Sequence, residues 1–319
     1  MMKTAATAEV ELAPAAPFPG PVSALEAPAA VPSKFADYLE LTKPRIAVMA
    51  LFTVAIGYLL AAGAEVRAAV LLHTLFGAGL VAAGGSALNQ WLERRIDARM
   101  HRTMRRPLPA GRLTPAEALA FGVGLGVAGL AYLALTTPPA AAVVAAVTAV
   151  CYVAVYTPLK TLTVWNTLVG AVPGALPPVI GWCAARGWDD LAGAAGLFLV
   201  LFLWQIPHFL AIAWMYRDDY ARGGLRMLPI ADPSGGRTAA VMALTCAALI
   251  PASLLPVALG GAGAVYAVAA VLFGLAFLRS AARFGRTRTD RQARKVLRAS
   301  LVYLPGVLGV LLVDALLRG

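Results

Sequence analysis

The chain has 319 residues, of which 60% are hydrophobic and 13% charged, and it carries a net charge of +11. A soluble domain is about half apolar and about a quarter charged, so this composition excludes an ordinary water-soluble globule and points to lipid as the solvent. The basic balance does not indicate nucleic acid, because Lys and Arg fall between apolar runs rather than along one soluble face.

In chain order, residues 1–33 are Ala/Pro-rich and aperiodic, and read as a disordered tail. They lack the basic n-region and compact apolar core of a cleaved signal peptide. Residues 34–319 read as one transmembrane domain. A lipid-crossing helix needs ~20 mostly apolar residues. Such stretches fall near 44–64, 70–91, 116–136, 139–157, 164–184, 192–215, 238–259, 261–279 and 299–317. The expected fold is therefore all-α and polytopic, with nine transmembrane helices. If the N-terminus is cytoplasmic, alternation leaves only Arg67, Arg186 and Arg318 of the 27 Lys and Arg residues outside. That is the asymmetry that sets membrane orientation. Cys151, Cys183 and Cys246 lie in apolar segments without metal-type spacing and read as small buried hydrophobes.

The chemistry gathers on the expected cytoplasmic side. Asn89, Glu93 and Asp97 recur at four-residue steps, and on a helix each such step drifts by only ~40°, so the three share a face. Stacked carboxylate and amide oxygens suit a hard cation such as Mg²⁺ together with substrate phosphates. Seven arginines follow (Arg94, Arg95, Arg99, Arg102, Arg105, Arg106, Arg112), and guanidinium forks match phosphate oxygens. Topology control by basic loops accounts for such arginines equally well. The fourth-to-fifth loop adds Lys160, and the fifth span carries Gly170, Pro173, Gly174, Pro177 and Pro178, a run that breaks or opens a helix beside a cavity. Close helix packing by small residues is the plainer account of that run. A second cluster ends the sixth span: Trp204, Pro207 and His208 within it, then Asp218, Asp219, Tyr220, Arg222 and Arg226. The loop 279–298 is strongly basic, as expected for anionic lipid, a partner or topology control.

From about Asp37 to Leu317 these segments resemble the UbiA-type superfamily of intramembrane prenyltransferases, and within it the haem-modifying branch. The resemblance rests on Asn89-x3-Glu93-x3-Asp97 with Arg102-Thr103 and Arg106-Pro107-Leu108. It rests also on Tyr156-Thr157-x2-Lys160 with Asn166, Trp204-x2-Pro207-His208-Phe209, and Asp219-Tyr220 with Met227-Leu228-Pro229. The resemblance implies nine helices around a central apolar cavity. It implies transfer of the farnesyl group of farnesyl diphosphate to a vinyl group of haem b, with addition of water, giving haem o and diphosphate. It implies Mg²⁺ held by Asn89, Glu93, Asp97 and Asp219, with Glu93, Asp97, Asp219 and Lys160 catalytic. Substrate contacts are implied for Asn89, Arg102, Arg106, Tyr156, Asn166, Trp204, His208 and Tyr220. Implied partners are farnesyl diphosphate, haem b and the lipid bilayer, with no nucleic acid, and haem A synthase or terminal-oxidase assembly factors as candidates. The implied location is a bacterial inner membrane, with N-terminus and active-site loops cytoplasmic. Two departures stand out. Four and eight residues beyond Asp219 stand Gly223 and Met227, where other branches repeat the acid, and Arg95 stands where some relatives carry one. The alternative readings are polyprenyl transfer to another aromatic or tetrapyrrole acceptor, and a transporter of phosphorylated solutes.

Overall fold

A computed structural model describes residues 33–318. The expected disordered tail, Ser33 apart, lies outside the described residues. The helices run α1 (Lys34–Thr42), α2 (Pro44–Ala62), α3 (Ala68–Asp97), α4 (Pro115–Thr136), α5 (Pro139–Leu162), α6 (Asn166–Arg186) and α7 (Leu191–Met215). There follow α8 (Arg217–Arg222), α9 (Leu228–Ala231), α10 (Gly236–Ala258), α11 (Ala264–Thr287) and α12 (Asp290–Arg318). Among the described residues there is no strand, and nine helices (α2 to α7 and α10 to α12) are long and apolar enough to cross a membrane. The chain is a multi-pass membrane protein.

Local chemistry sets the helix ends. Pro44 and Pro115 occupy first-turn positions, where a missing N–H costs nothing. Thr114 and Glu117 close a capping box on α4, each satisfying a backbone donor of the other. The break between α10 and α11 is made at Gly260, whose φ of 77° lies in the left-handed region open to glycine.

Two helices are irregular where the site will form. In α6 the helical run ends at Ala175 and restarts at Pro177, because Pro177 and Pro178 offer no N–H to the preceding turn. In α5 residues Cys151–Tyr156 form a π-helical turn, an irregularity often found at functional sites. α3 outruns its apolar stretch to reach Asp97, so its last turns carry Glu93 and Asp97. The expected basic loop 279–298 is instead a helical hairpin: α11 continues to Thr287 and α12 begins at Asp290. Arg, Ala, Gln and Lys in that stretch are good helix formers, so the helices persist beyond their apolar spans.

The bundle closes by neighbour contacts. α3 lies against α4, α2 against the second half of α6, and α7 against α6, α10 and α12. Small residues allow the tightest approach, as at Gly181, where a Cβ would stand 1.9 Å from the Val54 carbonyl oxygen of α2. A large apolar core fills the space among α6, α7, α10, α11 and α12. Leucine and valine also cover the outside (Leu135, Val127, Leu244, Val265), as a lipid-facing surface requires.

Candidate functional site

At one end of the bundle the α3–α4 loop, the end of α5, the start of α2 and the α8–α9 region converge over a cavity of about 1140 Å³. That exceeds the usual ~300–1,000 Å³ of a site for one small ligand. Its mouth is lined by Lys43, Asn89, Glu93, Asp97, Arg102, Arg106, Lys160 and Tyr220, and its depth by apolar and aromatic groups including Tyr152, Trp204, Phe209, Ile212 and Leu304.

Helical period brings Asn89, Glu93 and Asp97 to one buried face of α3, as expected. Each meets a partner from a different element. Asn89 accepts from Lys43 Nζ at 3.0 Å and donates to Thr157 Oγ1 at 3.0 Å. Glu93 accepts from Lys160 Nζ at 2.7 Å. Asp97 accepts from Arg106 at 2.7 Å through Oδ2, while its Oδ1 is buried with no hydrogen-bond partner. Such an orphaned carboxylate oxygen beside a second acid and an amide fits a hard cation that also takes phosphate oxygens. Among the described residues no group of three or more His, Cys, Asp or Glu gathers for a metal. Two carboxylates and one amide do not make a closed protein cage, so a cation held there would take its remaining oxygens from another molecule.

Lys43 is a site residue that sequence reading counted only towards topology. Its backbone is left-handed (φ 49°), a conformation costly for a residue with a side chain and retained where surroundings enforce it. Here Pro44 fixes the next turn and Asn89 holds the ammonium. Burial, then the charges of Arg106 and Lys160, lowers the Lys43 pKa to about 7 against the opposing pull of Glu93 and Asp97. A positive charge with too few anions around it is a receptor for one. Its sequence signal was a lysine beside a helix-starting proline.

Lys160 also lies over the Tyr156 ring, 4.5 Å from its centroid, and Arg102 over Tyr216 and Tyr220 at 5.1 and 5.3 Å. Arg102 further donates to the Tyr220 hydroxyl at 3.1 Å. Tyr156 stacks with Tyr152 across the π-helical turn. The sequence reading did not name Tyr152 or Gln205, and both line the cavity. The glycines of α6 make room for these walls. A Cβ at Gly170 would stand 2.4 Å from Tyr156, and one at Gly174 would stand 2.1 Å from Gln205 Oε1.

Trp204 and His208 stack one turn apart on α7 and both meet α12. Trp204 donates to the Ser300 carbonyl at 2.8 Å, and His208 Nδ1 lies 2.7 Å from Ser300 Oγ.

Two expected residues stand elsewhere. Asp219 does not line the cavity; its carboxylate is taken up by the α3–α4 loop. Oδ1 accepts the His101 N–H at 2.8 Å and an Arg222 N–H at 2.6 Å, and Oδ2 accepts the Arg102 N–H at 3.2 Å. Burial works to raise its pKa, but those hydrogen bonds prevail and hold it below the usual carboxylate range. Asn166 is fully buried and off the cavity wall, donating to the Thr163 and Arg226 carbonyls. It ties the start of α6 to the α8–α9 connection.

A further clasp lies outside the cavity. Arg112 bridges Asp37 and Glu40 of α1 at 2.7 and 3.1 Å and donates to the Arg105 carbonyl, so α1 braces the arginine loop.

Comparison with known proteins adds the following. The profile of the UbiA prenyltransferase family matches residues 50–303. The protoheme IX farnesyltransferase of Solibacter usitatus is 48% identical over 287 residues, covering 87% of this chain and 98% of that protein. That of Salinibacter ruber is 47% identical, covering 87% and 98%. The mitochondrial protoheme IX farnesyltransferase of Arabidopsis thaliana is 41% identical, covering 84% of this chain and 62% of that protein. Among solved structures, a digeranylgeranylglyceryl phosphate synthase superposes with a TM-score of 0.75 at 22% identity, covering 89% of this chain and 99% of that one. A UbiA homologue from Archaeoglobus fulgidus bound to GPP and Mg²⁺ gives 0.62 at 14% identity, covering 86% and 99%.

Proposed function

This chain belongs to the UbiA prenyltransferase family and is an enzyme, and from that premise we propose that it transfers the farnesyl group of farnesyl diphosphate to a vinyl group of haem b, with addition of water. The products are haem o and diphosphate. The charged mouth would face the cytoplasm of a bacterial inner membrane, as the Lys and Arg distribution favours. The observation that carries the reading is the mouth itself: Asn89, Glu93 and Asp97 face Lys43, Arg106 and Lys160 above an apolar cavity large enough for two substrates. The names of relatives 47 and 48% identical over nearly their full lengths support the acceptor.

The difficult step is breaking the bond between the prenyl C1 and the diphosphate oxygen, with the electron pair leaving on oxygen. Mg²⁺ held by Asn89, Glu93 and Asp97 would supply Lewis-acid neutralisation of the phosphates. Arg102, Arg106 and Lys160 place fixed positive charge where the leaving group gains negative charge, and Lys43 adds its own as it is protonated against the diphosphate. The apolar depth keeps bulk water from the allylic cation until the vinyl π electrons reach C1. The cation left on the former vinyl carbon then takes a water oxygen and releases a proton. Tyr156, Trp204, Tyr220 and His208 line the space for the acceptor, whereas Asp219 and Asn166 position the loops that carry the arginines and Lys160.

Haem extraction from membranes of cells expressing the chain, with separation and mass measurement, tests this. A new haem heavier than haem b by one farnesyl group and one hydroxyl, its vinyl having become a hydroxyethylfarnesyl chain, and lost in Asp97→Asn, is the expected result. An unchanged haem profile from folded protein supplied with farnesyl diphosphate would move the reading to another aromatic or tetrapyrrole acceptor. Absence of diphosphate release in detergent would favour the transporter reading instead.

A further inference from the structure

We propose that His208 Nε2 is the protein ligand to the iron of the haem acceptor, with Ser300 as the residue that holds it in the ligating tautomer. The inference rests on the acceptor reading above.

Ser300 decides which nitrogen of His208 carries the proton. Its Oγ lies 2.6 Å from the Leu297 carbonyl oxygen, and a carbonyl can only accept, so the hydroxyl proton is spent there. Towards His208, 2.7 Å away, the same Oγ is left as an acceptor. His208 must then carry its proton on Nδ1, which puts the lone pair on Nε2. Among the described residues no protein group hydrogen-bonds to Nε2, and His208 lines the cavity. Orientation is fixed a second time by Trp204, whose ring stacks 5.0 Å from the imidazole at 28° and whose indole N–H is tied to the Ser300 carbonyl. A histidine whose distal N–H is satisfied by an oxygen acceptor, with the other nitrogen free towards a cavity, is the arrangement found in metal-ligating histidines.

Placement suits the chemistry. His208 stands seven positions before the end of α7 at Met215, about 10 Å at 1.5 Å per residue. A macrocycle ligated there rests against Trp204, Phe209 and Ile212, below the charges at the mouth. The chain has three histidines, and the other two are off the cavity wall: His73 is bonded to Tyr132 and His101 lies in the α3–α4 loop. Iron ligation would fix the macrocycle in one orientation and so decide which vinyl group meets C1.

The test adds hemin to the purified full chain in detergent and reads the reduced complex by absorption and resonance Raman spectroscopy. An iron–histidine band is expected in the unaltered protein and in a His73→Ala/His101→Ala double variant. It should vanish in His208→Gln and return when free imidazole is added. In Ser300→Ala, which leaves His208 in place but removes its acceptor, the band should shift to lower frequency and haem affinity should fall about 10- to 100-fold. A histidine band that persists in His208→Gln overturns the proposal and leaves the proposed function standing. If that variant does not fold, an unshifted band in Ser300→Ala overturns it instead. Failure of the unaltered protein to bind hemin overturns the acceptor reading and this inference together.

Discussion

Asp219→Asn separates loop positioning from metal ligation more sharply than any other single substitution. The carboxylate uses Oδ1 on the His101 N–H and Arg222, and Oδ2 on the Arg102 N–H. Asparagine keeps one acceptor and turns the other position into an NH₂ facing a backbone donor. Loss of one charge-assisted bond and stranding of one amide together cost about 2–3 kcal/mol. The ion pair itself adds under ~1 kcal/mol, because the Arg222 side chain is half exposed. If that cost is drawn from the loop geometry that presents Arg102 and Arg106, the apparent affinity for prenyl diphosphate falls by about 30- to 150-fold. The assay is steady-state turnover in detergent, varying farnesyl diphosphate at fixed Mg²⁺ and then Mg²⁺ at fixed diphosphate. A raised KM for the diphosphate with an unchanged Mg²⁺ half-activation point is expected. A tenfold rise in the Mg²⁺ requirement with KM unchanged would refute the reasoning and return Asp219 to the metal. The depressed pKa fixes the sign of the pH effect: the clasp is present above the ordinary carboxylate range and is lost as pH falls through the folded value.

Three other outcomes follow from the geometry. Lys43, lowered to about 7 by burial and by the charges of Arg106 and Lys160, gives up on folding a proton that the unfolded chain keeps to 10.5. Stability should therefore rise between pH 7 and 10.5, and diphosphate binding should take up a proton above pH 7. Calorimetry in buffers of different ionisation enthalpy measures that uptake, and its survival in Lys43→Gln would assign it to another group. Gly170→Ala drives a methyl against Tyr156, costing about 1–3 kcal/mol and narrowing the cavity. A lower Tm and a higher KM for the acceptor are expected; no change in either would mean that Tyr156 swings aside freely. Lys160→Met strands the buried Glu93 carboxylate at a cost of about 3–5 kcal/mol. Adding Glu93→Gln should restore Tm without restoring turnover, and a double variant as unstable as the single one would show that the pair is not coupled.

What depends on neighbours in the chain was legible from residues alone. Nine apolar runs forecast nine helices to within a few residues at most ends, because spanning lipid is a property of a continuous stretch. Asn89, Glu93 and Asp97 were legible as one face because helical period is local. The break at Pro177 was legible from proline's missing donor, whereas the Gly/Pro run was equally consistent with a cavity or with close helix packing. Which distant groups meet depends on how the helices pack. Asp219 and Asn166 carry the residue types of a site, yet apart from Arg222 beside Asp219 their partners are loop backbone up to 118 positions away. Lys43 reads as a topology charge until Asn89, 46 positions on, places it over the acids. His208 meets its hydrogen-bond partner Ser300 92 positions on. Local propensity makes helices in lipid almost independently of one another. Hydrogen-bond partners, charge environments and protonation states depend on which helices lie side by side, and no local pattern carries that information.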